Sequence, residues 1–116
     1  MELIERDELK AKLDREDDFK LVMVLGEWTF KAKHIPGSMN IFDPTRATEL
    51  LSPEDDIVLY CSNPECPAST YTYHLLTSGG FEHVKRYAGG NVDWEQAGLR
   101  VEGTHARPLG KMSLGI

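Results

Sequence analysis

Cysteine is scarce in this chain of 116 residues: only Cys61 and Cys66 occur, too few to staple a disulfide framework together. In a reducing compartment such thiols are either catalytic or simply buried. Basic residues are also in deficit. Thirteen lysines and arginines stand against nineteen aspartates and glutamates, a formal charge of −6, which argues against nucleic acid or an anionic membrane surface as partner. No apolar run approaches a membrane span, and the N-terminal MELIERDELK has no signal-peptide core, so a cytoplasmic location is expected. There is no internal repeat and no low-complexity segment. The length suits one domain with its own core, not two.

What the chain does have is a short apolar run that ends on a thiol. In IVLYCSNPECPAS, residues 57–69, Ile57 to Tyr60 read as a buried strand that stops at Cys61. A loop with two prolines and Cys66 follows. Ser69 then opens the helical segment STYTYHLLTSG, for which it is a good N-cap. A thiol at a strand's carboxyl end, facing a helix start, sits where backbone N–H groups converge, which favours the thiolate and suits an anion.

Around this stretch, short strands alternate with short helices. Leu3 and Ile4 suggest a first strand. DELKAKLDR reads as an amphipathic helix capped by Asp7, with Glu8 and Lys12 on its solvated face. Lys20 to Leu25 reads as a buried strand broken by Gly26. A helical turn, a Pro36-Gly37 turn and a strand from Met39 to Ile41 follow. Asp43-Pro44 starts another helix. Gly79-Gly80 ends the helix after the loop, Val84 to Tyr87 is a strand, and Asn91 caps a last helix stopped by Gly98. The pattern predicts an α/β fold with a mostly parallel central sheet flanked by short helices on both faces. Ligands of such sheets bind beyond the strands' carboxyl ends, where Cys61 falls. Trp28, Phe30 and Trp94 are expected in the core, Tyr71 and Leu75 as packing residues, and Lys85 and Arg86 as solvated edge charges.

Four motifs in order give the chain a family resemblance. KHIPGS resembles a Gly-His-Ile-Pro-Gly-Ala turn, and IVLYC resembles a strand delivering a catalytic cysteine. GGFEHVKRYAGG resembles a segment leading to paired glycines, and VDWEQAGLRV resembles a closing tryptophan helix. Together they resemble a single-domain rhodanese from about Leu3 to Glu102, which implies a domain of residues 1–102 with 103–116 as a flexible or loosely docked tail. The resemblance implies sulfurtransferase activity, with a sulfane sulfur carried as a persulfide on Cys61. The implied partners are a small sulfur donor with a thiol or cyanide acceptor, or a persulfide-bearing protein, and no cofactor. His34 is expected to bond backbone within its turn.

The chain also departs from that pattern. Where the family commonly has Asp-x-Arg, this chain has Met23 and Leu25. Its loop is longer by about two residues and holds Glu65 but no Lys or Arg. Pro64 and Pro67 remove N–H donors from the cradle. Ser62, Asn63, Pro64, Glu65, Pro67, Ala68 and Ser69 form the expected substrate loop. Cys66 is either a resolving thiol or a packing residue. The spacing of His74 and His83 with the two cysteines fits no compact ligand set, so no metal is expected. An arginine-free loop should hold thiosulfate poorly and a thiol persulfide better. The competing reading is a catalytically silent binding or regulatory module, or a Cys61–Cys66 redox switch. Phosphatase or arsenate-reductase chemistry is disfavoured because Pro67 stands where an arginine would be needed.

Overall fold

Four strands, β1 (Lys20–Met23), β2 (Met39–Asn40), β3 (Ile57–Tyr60) and β4 (Val84–Tyr87), form one sheet in the order β2-β1-β3-β4. All pairs are parallel in the computed structural model, which describes residues 1–62 and 67–104. Parallel neighbours cannot be joined by a tight turn, so each connection crosses over through a helix. These helices are α2 (Glu27–Ala32), α3 (Pro44–Leu50) and α4 (Ala68–Ser78), with α1 (Arg6–Asp14) before the sheet and α5 (Gly90–Gln96) after it. Among the described residues no helix is long and apolar enough to cross a membrane.

β3 lies inside the sheet, and all four of its residues are buried, as a strand covered on both faces requires. Side-chain alternation divides the core in two. Ile57, Leu59 and Cys61 pack with Val22, Leu76 and Val84 on one face. Val58 and Tyr60 pack with Leu9, Ile35 and Trp94 on the other. Because every strand runs the same way, all four carboxyl ends gather at one edge, and Cys61 stands there.

The structure departs from several expectations. β1 ends at Met23 rather than Leu25, and β2 is two residues rather than three. Leu3 makes a single bridge to Arg86 instead of a strand with Ile4. Asp7 lies within α1, and Glu5 is the N-cap without a side-chain bond. Lys12 leaves the solvated face: its Nζ is 2.8 Å from Asp56 Oδ2 and 4.9 Å over the Phe19 ring. The exposed i,i+4 pair of α1 is Lys10 with Asp14, at 2.6 Å. Trp28 is 89% exposed on α2, whereas Trp94 is buried as expected.

Other expectations hold. Asp43 caps α3, its Oδ1 accepting the Thr45 amide at 3.0 Å and the Thr45 hydroxyl at 2.8 Å, with Pro44 following. Those bonds hold the Asp43 carboxyl below the usual aspartate range. Gly37 takes φ +88 in the predicted turn, and His34 Nδ1 lies 2.8 Å from the Phe30 carbonyl, the backbone contact expected of it. His34 and Glu102 also exchange backbone hydrogen bonds at 2.8 Å, and the Thr104 amide donates to the Lys31 carbonyl at 2.9 Å. The chain is thus docked through Thr104. The rest of the expected tail, 105–116, lies outside the described residues.

Candidate active site

Cys61 follows directly on β3 and is only 2% exposed. Its backbone is fixed from below by α5. The Asn91 amide donates to the Cys61 carbonyl at 3.2 Å, and the Val92 amide donates to the Ser62 carbonyl at 2.9 Å. Two of the first amides of α5 are therefore spent on orienting the chain as it leaves β3, not on an anion. Asn91 does not cap α5 with its side chain; Gly89 is the N-cap. The Asn91 Nδ2 instead donates to the Lys33 carbonyl at 3.0 Å, and its buried Oδ1 has no partner among the described residues.

The start of α5 is held in turn by a polar cluster. The Tyr87 hydroxyl donates to Asp93 Oδ2, and Arg6 NH1 donates to Asp93 Oδ1 at 3.0 Å. Burial first, then the bond to the Asp93 carboxylate, pushes the Tyr87 phenol well above its ordinary range. Tyr60, the last residue of β3, does similar work on the opposite side. Its phenolic oxygen receives the Ile35 amide and pairs with Ser38, so the Pro36-Gly37 turn is tied to the strand that delivers Cys61.

Ser69 is placed differently from the expected N-cap. Pro67 holds that position, and Ser69 is inside the first turn of α4, 1% exposed. Its Oγ accepts the Nε–H of Arg86 at 2.7 Å. Arg86 is correspondingly not a solvated edge charge. It pairs with Leu59 across the sheet and reaches over to α4 on the face that carries Leu59 and Cys61. The signal was present in the alternation of VKRY, which puts Arg86 on the side of buried Val84. What the sequence could not supply was the partner, 17 residues away.

Of the expected loop, Ser62 is half-buried, Pro67 is exposed and Ala68 packs partly against the core beside Cys61. Asn63, Pro64, Glu65 and Cys66 lie outside the described residues, and with them the loop's length and the resolving role of Cys66. His74 and His83 are both exposed.

A groove of about 620 Å³ opens beside this edge, between the starts of α3 and α4. Leu25, Phe42, Pro44, Pro67, Ala68 and Tyr71 line it, and Asp43, whose Oδ1 caps α3, is also among the lining residues. Tyr71, expected as a packing residue, is 62% exposed, and Phe42 is 66% exposed. The buried face of α4 is instead made by Ser69, Thr72 and Leu76, with Leu75 only half-buried. Of the two residues at the departing Asp-x-Arg positions, Met23 is fully buried and Leu25 lines the groove.

A family model described as a rhodanese-like domain matches residues 5–97. Similar solved structures include a protein from Bacillus halodurans, 25% identical with a TM-score of 0.80, covering 97% of this chain and 89% of that one. The rhodanese-like domain of a protein from Anabaena sp. is 28% identical with a TM-score of 0.78, covering 90% and 81%. A thiosulfate sulfurtransferase from Pseudomonas aeruginosa shares the fold at 21% identity and a TM-score of 0.77, over 95% of this chain and 22% of that one. No curated protein matches the chain.

Proposed function

The chain belongs to the rhodanese-like domain family, and on that footing we propose that it is a sulfurtransferase with Cys61 as nucleophile and sulfur carrier. The observation that carries this reading is the location of Cys61, at the carboxyl end of the inner strand β3, with its carbonyl held by α5 and α4 starting nearby.

In the first half-reaction the Cys61 thiolate attacks the outer sulfur of a thiol persulfide. The donor's S–S bond breaks, its thiolate leaves with the bonding pair, and Cys61 keeps the transferred sulfur as a persulfide. In the second, an acceptor thiolate or cyanide attacks that outer sulfur and the Cys61 thiolate is restored. No external oxidant or reductant enters the balance.

The groove supports an organic thiol persulfide over thiosulfate as donor. Its walls are largely apolar, Leu25 occupies a position where the resemblance leads one to expect arginine, and the Asp43 carboxylate opposes a dianion. Comparing kcat/KM for thiosulfate and a small thiol persulfide, with cyanide as acceptor, tests the choice. Efficient turnover at low thiosulfate would overturn it. The Cys61→Ser variant is expected to lose all transfer.

The 2% exposure of Cys61 and the buried Met23 favour the second reading, a silent binding module. Intact-mass measurement after donor treatment separates the two. A carrier gains one sulfur atom on Cys61; a silent module gains none.

A further inference from the structure

Burial disfavours a thiolate, so an ionised Cys61 calls for a compensating positive charge near it. The loop contains no lysine or arginine. We infer that Arg86 supplies the charge from β4: its guanidinium, anchored on Ser69, sustains the ionised form of Cys61 and of the persulfide formed on it. Arg86 is thus a positioning residue for α4 and the electrostatic partner of the thiol. This deepens the sulfur-transfer reading and rests on it.

Register and alternation carry the argument. Arg86 stands opposite Leu59, two residues before Cys61, and both Val84 and Cys61 belong to the core on that side of the sheet. Strand spacing and rise put the Arg86 and Cys61 Cα atoms roughly 8 Å apart, within the reach of an extended arginine. The Nε–H bond to Ser69 directs the guanidinium toward the first turn of α4, the helix the Cys61 loop leads into.

Other charged groups on the surrounding elements have different engagements. On α3, Asp43 holds Thr45, and Arg46 lies 3.6 Å from Glu49 at the exposed surface. On α5, Asp93 is bound by Arg6 and Tyr87, and Glu95 by Lys33 at 3.0 Å. The first turn of α4 has no acidic residue, and His74, further along it, is exposed. Lys85 alternates to the other face of β4. Glu65, in the loop itself, lies outside the described residues.

The test is the pH dependence of Cys61 alkylation by iodoacetamide, read by fragment-resolved mass spectrometry so that Cys66 is scored separately. Arg86→Gln keeps a donor for Ser69 and removes the charge; Arg86→Lys keeps the charge. The midpoint is expected to rise by about one pH unit in the glutamine variant, slowing alkylation about tenfold below it, and to stay near wild type in the lysine variant. A wild-type midpoint in Arg86→Gln overturns the inference. So does an equal rise in both variants, which would mean fit rather than charge. If Arg86→Gln does not fold, Arg86→Met gives the same reading. A Cys61 that accepts no sulfur yet keeps an Arg86-dependent midpoint sinks the transfer reading alone. A Cys61 that carries sulfur with an unmoved midpoint sinks this inference alone.

Discussion

The phenolic oxygen of Tyr60 accepts the Ile35 amide at 2.9 Å, tying the residue before Cys61 to the start of the Pro36-Gly37 turn. The same oxygen pairs with Ser38 Oγ at 2.8 Å. Tyr60→Phe leaves the Ile35 N–H without its acceptor in the core and is expected to cost about 1–3 kcal/mol in urea denaturation at neutral pH.

The same phenol gives a pH signature. Burial raises Tyr60 from its ordinary 10 to about 12. The unfolded chain therefore loses this proton first. The stability linked to it is complete below pH 10 and disappears as pH rises through 10 to about 12. Denaturation midpoints across that window should fall more steeply for wild type than for Tyr60→Phe. Parallel curves would show that the phenol is not insulated from solvent.

Lys12 and Asp56 form a half-buried pair, with side-chain exposures of 11% and 36%. Asp56→Ala strands the ammonium against the core and is expected to destabilise by about 1–2 kcal/mol. Lys12→Met keeps the apolar stem on Phe19 and should cost less. Chemical denaturation of both single variants and the double variant checks the order.

Gly103 has φ +131, and a Cβ there would come within 2.3 Å of the Ala32 carbonyl oxygen. Gly103→Ala is expected to cost at least about 1 kcal/mol and to loosen the His34–Glu102 bridge. Faster amide exchange at His34 and Glu102, with the sheet core still protected, is the expected pattern.

The groove makes a prediction about donors. Phe42→Ala should raise KM for a thiol persulfide by roughly fivefold, the equivalent of about 1 kcal/mol of lost apolar contact. Asp43→Asn preserves the helix cap and removes the charge, so KM for thiosulfate should fall. Steady-state kinetics with both donors reads both effects.

The sheet was legible where burial leaves a local signature. Ile57 to Tyr60 is an uninterrupted apolar run because both of its faces are covered, and Asp43-Pro44 carries its own capping chemistry. Sidedness in short helices was less visible. Trp28 sits on a six-residue helix with no buried residue, so its aromatic character did not reveal which way it faces. Ser69 and Asn91 both have cap chemistry, yet each is occupied by a partner distant in sequence, Arg86 and the Lys33 carbonyl. Lys12 likewise turned inward because Asp56 awaited it 44 residues on. The position of Cys61 was readable; the charge facing its side of the sheet was not, because it arrives from another strand.

The bridge between Leu3 and Arg86 has a consequence for handling the protein. The Arg86 amide donates to the Glu2 carbonyl, and its carbonyl accepts the Ile4 amide, so the outer rim of β4 is partly occupied. A version shortened past Ile4 would bare those groups as a template for another strand. Self-association of such a truncation would arise from an uncovered backbone, with the interior still intact.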